Sequence, residues 1–280
     1  ARGAWMTRIR FPYAWLALAL ALAAIYLFPL YWMYVTSLKG QSEIFANPPT
    51  FWPRDPNLSI YPETWRERTM SVFLWNSVVI AAGVTVLTVF LGTGCAYVLA
   101  RYRSTWIDLG LFCILMLQVL PASVMITPLY VVFNQVGLLS YPRTAVILAA
   151  AGKSIPFYIV LVRATFMNVP RELEEAALVD GNSRWGALFF IVLPLARNGI
   201  LVLAILTFMQ AFGEYIYAKS IITTPAYQPA SVGLSGFLGP NSTDWNGIMA
   251  YSAIYVTPIV AIFVILQRRI IAGLTSGALK

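Results

Sequence analysis

Long stretches of this chain run without charge, and short polar passages separate them. Phe11–Leu38, Thr69–Ala100, Leu109–Pro142 and Trp245–Gln267 contain no Asp, Glu, Lys or Arg. A helix rises about 1.5 Å per residue and the hydrocarbon layer is roughly 30 Å thick, so ~20 such residues cross it once. The runs predict membrane-spanning helices, because a membrane β-barrel would show short alternating segments instead. Hydropathy predicts about six spans, at 12–36, 72–99, 107–132, 143–167, 188–217 and 246–270. The expected fold is an all-α polytopic helical bundle. The first run is too long for the apolar core of a signal peptide and shows no small-residue cleavage site, so it reads as a span.

The polar passages differ in kind. Residues 37–71 carry five prolines among mixed charges, which describes an irregular extramembrane loop. The link after span five is uncharged and rich in Gly, Pro and Ser, again a loop. Between spans four and five, residues 168–187 contain "EEAALVDGNS" (174–183). Pro170 followed by Arg-Glu-Leu-Glu-Glu reads as a helix start, with acids complementing the dipole. Leu173, Ala176 and Ala177 share one narrow apolar face by helical spacing. Asp180-Gly181 ends the helix, the glycine supplying the left-handed conformation of a C-cap. Asn182-Ser183 can cap a second short helix, "RWGALFF". A plain connection between two spans needs only a few residues. A capped, acid-bearing helix with a methyl-lined face reads instead as a plug for a cleft on another protein.

Composition agrees with a membrane location: 59% of residues are hydrophobic and 11% charged, against roughly 25% charged in soluble domains. The basic residues orient the chain. With the N-terminus cytoplasmic, that side collects Arg2, Arg8, Arg10, Arg101, Arg103, Arg163, Arg171, Arg184, Arg197, Arg268, Arg269 and Lys280, twelve of nineteen. Residues 1–11, the 168–187 loop and the 271–280 tail are then expected inside, and 37–71 outside. The net charge of +8 is a topology signal, with no nucleic-acid partner expected.

Candidate chemistry is sparse. The chain has no histidine, which removes imidazole ligation and imidazole acid–base catalysis; no catalytic or metal site is expected. Cys95 and Cys113, both in apolar runs, read as small buried hydrophobes. "AAAGKS" (149–154) imitates a phosphate loop, but the position that requires the first glycine holds Ile147, and the segment lies inside an apolar span. No cofactor is expected in this chain.

Lys153 falls near the middle of span four, where a charge needs a partner or water. It either lines a wet translocation path or makes a structural contact, with Glu214 or a companion protein. Pro156 could break the helix locally and free backbone carbonyls. Glu214, beside Tyr215 and Tyr217, suits a sugar: a carboxylate accepts hydroxyl hydrogen bonds and a ring stacks on a pyranose. Its alternative is pairing to Lys153 or Lys219. Gln118 and Asn134 are further polar side chains at membrane depth. Arg163 and Arg197 read as interfacial residues snorkelling to the surface.

"EAALVDGNSRWGALFFIVLP" resembles the spaced motif of membrane subunits of binding-protein-dependent ABC importers: Glu-Ala-Ala, three residues, Gly, nine residues, Ile, one residue, Leu-Pro. The motif falls on Glu175, Ala176, Ala177, Gly181, Ile191, Leu193 and Pro194. "NSVVIAAGVTVLTVFLGTGCAYVLAR" (76–101), "TPLYVVFNQVGLL" (127–139) and "QRRIIAGLTSGALK" (267–280) are similar to stretches of carbohydrate-type permeases, the last to the shorter permease of maltose-type importers. In span five, "AFGEYIYA" departs from the family, with Phe212-Gly213 where Trp-Asn is more usual.

The resemblance implies a type I ABC importer permease-like fold, one transmembrane domain over 1–280, in a bacterial or archaeal plasma membrane. Its expected partners are a second related permease, two copies of an ABC ATPase that bind ATP and Mg, and an extracytoplasmic substrate-binding protein. Glu174, Glu175, Ala176, Ala177, Asp180 and Gly181 are implied to be the coupling helix that docks on the ATPase. Gln118, Lys153, Glu214 and Tyr215 are candidates for the translocation path. The expected solute is a sugar or sugar-like molecule; the alternative is a non-sugar solute such as an amino acid, phosphate ester or polyamine. An intramembrane enzyme would need an acid pair that the spans do not offer, and a passive channel would give flux without ATP.

Overall fold

The computed structural model describes residues 13–67, 69–102, 104–237 and 244–275. The expected cytoplasmic segment 1–11 and positions 276–280 of the tail lie outside the described residues. The described chain is helical: α1 (Tyr13–Ser37), α2 (Gln41–Ile44), α3 (Ile60–Glu67), α4 (Met70–Arg101), α5 (Thr105–Leu117), α6 (Ala122–Gln135), α7 (Pro142–Met167), α8 (Glu172–Val179), α9 (Arg184–Ala187), α10 (Leu193–Phe212), α11 (Ile216–Ile221), α12 (Ala230–Leu234) and α13 (Trp245–Thr275). A π-helical turn, Leu188–Val192, joins α9 to α10. Among the described residues, five helical stretches are long and apolar enough to cross a membrane: α1, α4, α7, α9 through α10, and α13.

The predicted span 107–132 departs from this pattern. It is two helices, α5 and α6, broken at residues 118–121. Pro121 has no N–H to donate and disfavours helical geometry at the residue before it. Hydropathy counts apolar side chains and is blind to that backbone defect. Pro156, by contrast, does not interrupt α7, which runs through it.

The chain divides into two compact units. In the unit of residues 1–64 and 237–254, the end of α1 is tied down by side chains. Asn246 donates its amide to the carbonyls of Ser37 and Lys39 at 2.8 and 2.7 Å, satisfying groups that a helix end leaves open. Lys39 is buried, lies 4.4 Å from the centre of the Trp32 ring and donates to the Thr50 carbonyl.

The unit of residues 65–236 and 255–280 is built on α4 and α7. Ala81, Val84 and Ala96 of α4 and Ala145, Ala149 and Ala151 of α7 are buried. Small residues let the backbones approach, which matters in lipid because apolar burial alone does not drive helices together. Gly92 is required by this closeness: a Cβ there would lie 2.5 Å from the buried ring of Tyr158. Tyr158 in turn shares a 3.0 Å hydrogen bond with Thr93. Asn76 of α4, fully buried, donates to the carbonyls of Ala226 and Gln228 at 2.9 and 2.8 Å, and Ser77 accepts from the Ala230 amide at 2.9 Å. These bonds pin the segment between α11 and α12 against α4. Near the end of α10, the Phe212 and Tyr255 rings stack 5.2 Å apart.

Both cysteines are free and exposed in this chain, against the expectation that they are buried. An apolar residue facing lipid and one facing a protein core look alike in sequence, because lipid tails are as apolar as a core.

Candidate functional site

The acidic loop folds as two helices around a sharp bend. Glu172, Glu174 and Glu175 occupy the first turn of α8, where carboxylates meet the positive end of the helix dipole. Its start lies two residues beyond Pro170. At its end the Gly181 amide donates to the Leu178 carbonyl (3.1 Å), and the Asn182 amide to the Ala177 carbonyl (2.9 Å). Gly181 has φ +88°. This is a Schellman motif, and the left-handed residue it needs is the predicted glycine. Ser183 then caps α9 by accepting from the Gly186 amide at 3.0 Å. A Cβ at Gly186 would fall 1.8 Å from Asn182 Oδ1, so a side chain there would force Asn182 to shift. Beyond α9, Pro194 near the start of α10 cannot donate to the preceding turn, and the wider π turn lies immediately before α10.

The predicted apolar face of α8 is split. Ala177 is buried, whereas Leu173 and Ala176 are exposed, as are Glu175, Asp180 and Gly181. Leu173, Ala176, Ala177, Asp180, Gly181, Asn182 and Ile191 line a shallow concavity of about 500 Å³. Glu174 turns the other way. Its carboxylate pairs with Arg101 and accepts from the Tyr97 hydroxyl at 2.8 Å, with the Glu174 and Arg101 side chains each only 13% exposed. Glu174 therefore faces this chain's own α4, unlike its exposed neighbour Glu175; helical spacing within the loop could not show what lay behind it. Tyr97 and Arg101, one turn apart on α4, belong to the 76–101 stretch, and Arg101 counts among the basic residues that orient the chain; nothing near them in sequence marks a partner more than 70 positions away.

The path candidates lie partly together. Gln118 caps α5 at the break and donates its amide to the Lys153 carbonyl on α7 at 2.8 Å. So one carbonyl near Pro156 does find a side-chain partner, although α7 is unbroken. Glu214 lies past the end of α10, where Gly213 closes the helix, and is not within a span. Glu214 Oε1 accepts from the Tyr217 amide at 2.7 Å, at the start of α11. Lys153 is within electrostatic reach of that carboxylate, but the two form no ion pair; among the described residues the ion pairs are Arg101–Glu174 and Arg163–Asp108. Lys219 donates to Ser235 at 3.1 Å. Tyr215 is exposed beside Glu214, Tyr217 is buried, and Asn134 is exposed near the end of α6. Arg163 is held by Asp108 at 2.8 Å and donates to the Leu99 carbonyl at 3.1 Å.

The described residues form apolar helices long enough to span a membrane, with a capped helical knuckle between two of them. Residues 88–276 match the family model of the binding-protein-dependent transport system inner membrane component, and the chain belongs to that family. Among curated proteins it is 34% identical over 254 residues to the sulfoquinovosyl glycerol transport system permease protein of Agrobacterium fabrum, covering 91% of this chain and 89% of that one. It is 32% identical over 269 residues to the trehalose transport system permease protein of Mycobacterium tuberculosis, covering 95% and 97%. Among solved structures, a chain of a bacterial ABC transporter involved in the import of the acidic polysaccharide alginate shares the fold, with TM-score 0.76 at 18% identity, covering 96% of this chain and 99% of that one. The protein is thus a multi-pass permease subunit of an ABC importer.

Proposed function

We propose that this permease forms half of the pathway for a sugar or sugar-like solute, facing a second, related permease. The sugar class is supported by the relatives, whose names specify sulfoquinovosyl glycerol and trehalose. Two ATPase subunits carry the ATP and Mg, an extracytoplasmic binding protein delivers the solute, and both termini of the chain are cytoplasmic. The ATPase grips the exposed side of the Glu174–Gly181 knuckle, and its closure on ATP switches the pathway between outward and inward access.

The observation that carries this reading is the knuckle itself. It is a rigid helix closed by a Schellman motif, with Glu175, Ala176 and Val179 exposed, Val179 to 87%. A helix built this way presents a fixed face to a groove on a partner. Gln118, Lys153, Glu214 and Tyr215 are assigned to the solute path, where a lysine ammonium, a carboxamide and an aromatic ring suit a hydroxyl-rich ligand.

Crosslinking tests the docking. With Cys95 and Cys113 replaced by serine, Val179→Cys should crosslink to the ATPase subunit in membrane vesicles. Labelling of that cysteine by an impermeant reagent from outside the cell, or a crosslink to no nucleotide hydrolase, overturns the reading. An uptake panel of sugars, amino acids, phosphate esters and polyamines decides the solute class.

A further inference from the structure

The coupling knuckle is held to the rest of the chain at one densely connected point. Arg101, the last residue of α4, pairs with Glu174 of α8 and donates through Nη1 to the Phe166 carbonyl near the end of α7 at 3.0 Å. The Tyr97 hydroxyl, one turn back on α4, donates to the other oxygen of Glu174 at 2.8 Å. The Tyr97 ring meets the Phe166 ring edge-on, with centroids 5.7 Å apart, and the Arg101 guanidinium lies 5.6 Å from the Tyr97 ring centre. Arg171, just before α8, donates to the Arg101 carbonyl. One guanidinium thus touches three helices.

We propose that Arg101 is a positioning residue that locks the coupling helix to the ends of α4 and α7, so that a push on the knuckle moves both spans together. This rests on the docking role proposed above. The physical reason is the shape and environment of the contact. A planar guanidinium can serve a carboxylate and a carbonyl at once from fixed directions, which an ammonium on a flexible stem cannot. Each side chain of the pair is only 13% exposed, so its attraction is screened less than at the open surface and losing one partner leaves a largely desolvated charge. A water-exposed ion pair would yield under load. This one is backed by ring packing on the side of α7 and by the Tyr97 hydrogen bond on the side of α4.

The lock requires that α8 divide its acids between two tasks. Glu174 turns inward to Arg101 while Glu175, the next residue, stays exposed. Disturbing the lock should therefore spare assembly with the ATPase and spoil the conversion of hydrolysis into transport.

The test uses the complete transporter, co-purified with its companion permease and ATPase and reconstituted in vesicles with binding protein and radiolabelled solute. The readout is solute moved per ATP hydrolysed. Arg101→Glu and Glu174→Arg should each lower that ratio by about tenfold or more, as expected when one member of a shielded pair is reversed, with the ATPase still co-purifying. The double swap should recover a substantial part of the loss, since interacting residues are non-additive. Arg101→Lys should fall between Arg101→Glu and the unmodified protein. If a reversed variant does not insert, Tyr97→Phe, which removes one hydroxyl and keeps the ring, should still lower the ratio about twofold or more. A ratio unchanged in all of these variants, or a double swap no better than the worse single change, overturns the lock. Failure of the unmodified chain to hold an ATPase at all would overturn the docking role instead.

Discussion

Replacing Asn76 by leucine should loosen the segment between α11 and α12. Asn76 is fully buried, and its amide serves two backbone carbonyls, those of Ala226 and Gln228. Leucine keeps a similar bulk and removes both donors. The Ala226 and Gln228 carbonyls are only partly buried and regain water when freed, so each bond contributes about 0.5–1.5 kcal/mol net and the two ~1–3 kcal/mol. Asn76 Oδ1 is itself buried without a partner, and its removal offsets part of that. The net is about 1 kcal/mol, a factor of roughly 5 in a local opening equilibrium at 1.4 kcal/mol per tenfold. Hydrogen exchange of the detergent-purified protein reads that equilibrium directly. Peptides covering 222–234 should exchange faster by that factor, while peptides from the middle of α7 should not change. Exchange within twofold of the unmodified protein across 222–234 would refute the reasoning, because the two hydrogen bonds would then not be what holds the segment.

Two further outcomes follow from local geometry. Gly181 has φ +88°, a conformation that costs an ordinary L-residue about 1–2 kcal/mol and that asparagine tolerates best; solute uptake in vesicles should therefore fall in the order Gly181, Gly181→Asn, Gly181→Val, and equal uptake by all three would contradict a fixed knuckle. In the 37–71 loop, the Thr50 hydroxyl donates to Glu43 Oε1 at 2.7 Å and the Arg54 amide at 3.0 Å, which hold the Glu43 carboxyl below the usual carboxylate range. A depressed folded-state pKa contributes stability that is present above the unfolded value and lost as pH falls through the folded one. Proteolysis of this loop should accelerate on acidification below the carboxylate range and not at neutral pH, and Glu43→Gln should remove that dependence; the same acid response in the variant would assign it elsewhere.

The features legible in sequence are those set by near neighbours along the chain. The spans are legible because each must fill the hydrocarbon layer with its own apolar residues and satisfy its own backbone. The helix–bend–helix of the knuckle is legible because Gly181 and Ser183 act within a few residues of where they stand. The break in the third apolar run was also written locally, in Pro121, but a count of apolar positions passes over a residue that fails only by lacking an N–H.

What the tertiary structure decided is which way each residue faces. Glu174 and Glu175 are adjacent and chemically identical, yet one is turned to Arg101 and the other lies open. Gln118 reaches the Lys153 carbonyl, and Asn76 reaches carbonyls some 150 residues away. No period or cap predicts such pairings, because a partner brought up by folding leaves no mark on the neighbouring sequence. Cys95 and Cys113 make the same point for apolar residues. In lipid the outside of a helix is as apolar as its packed face, so alternation of polarity, the signal that separates core from surface in water, is missing along the spans.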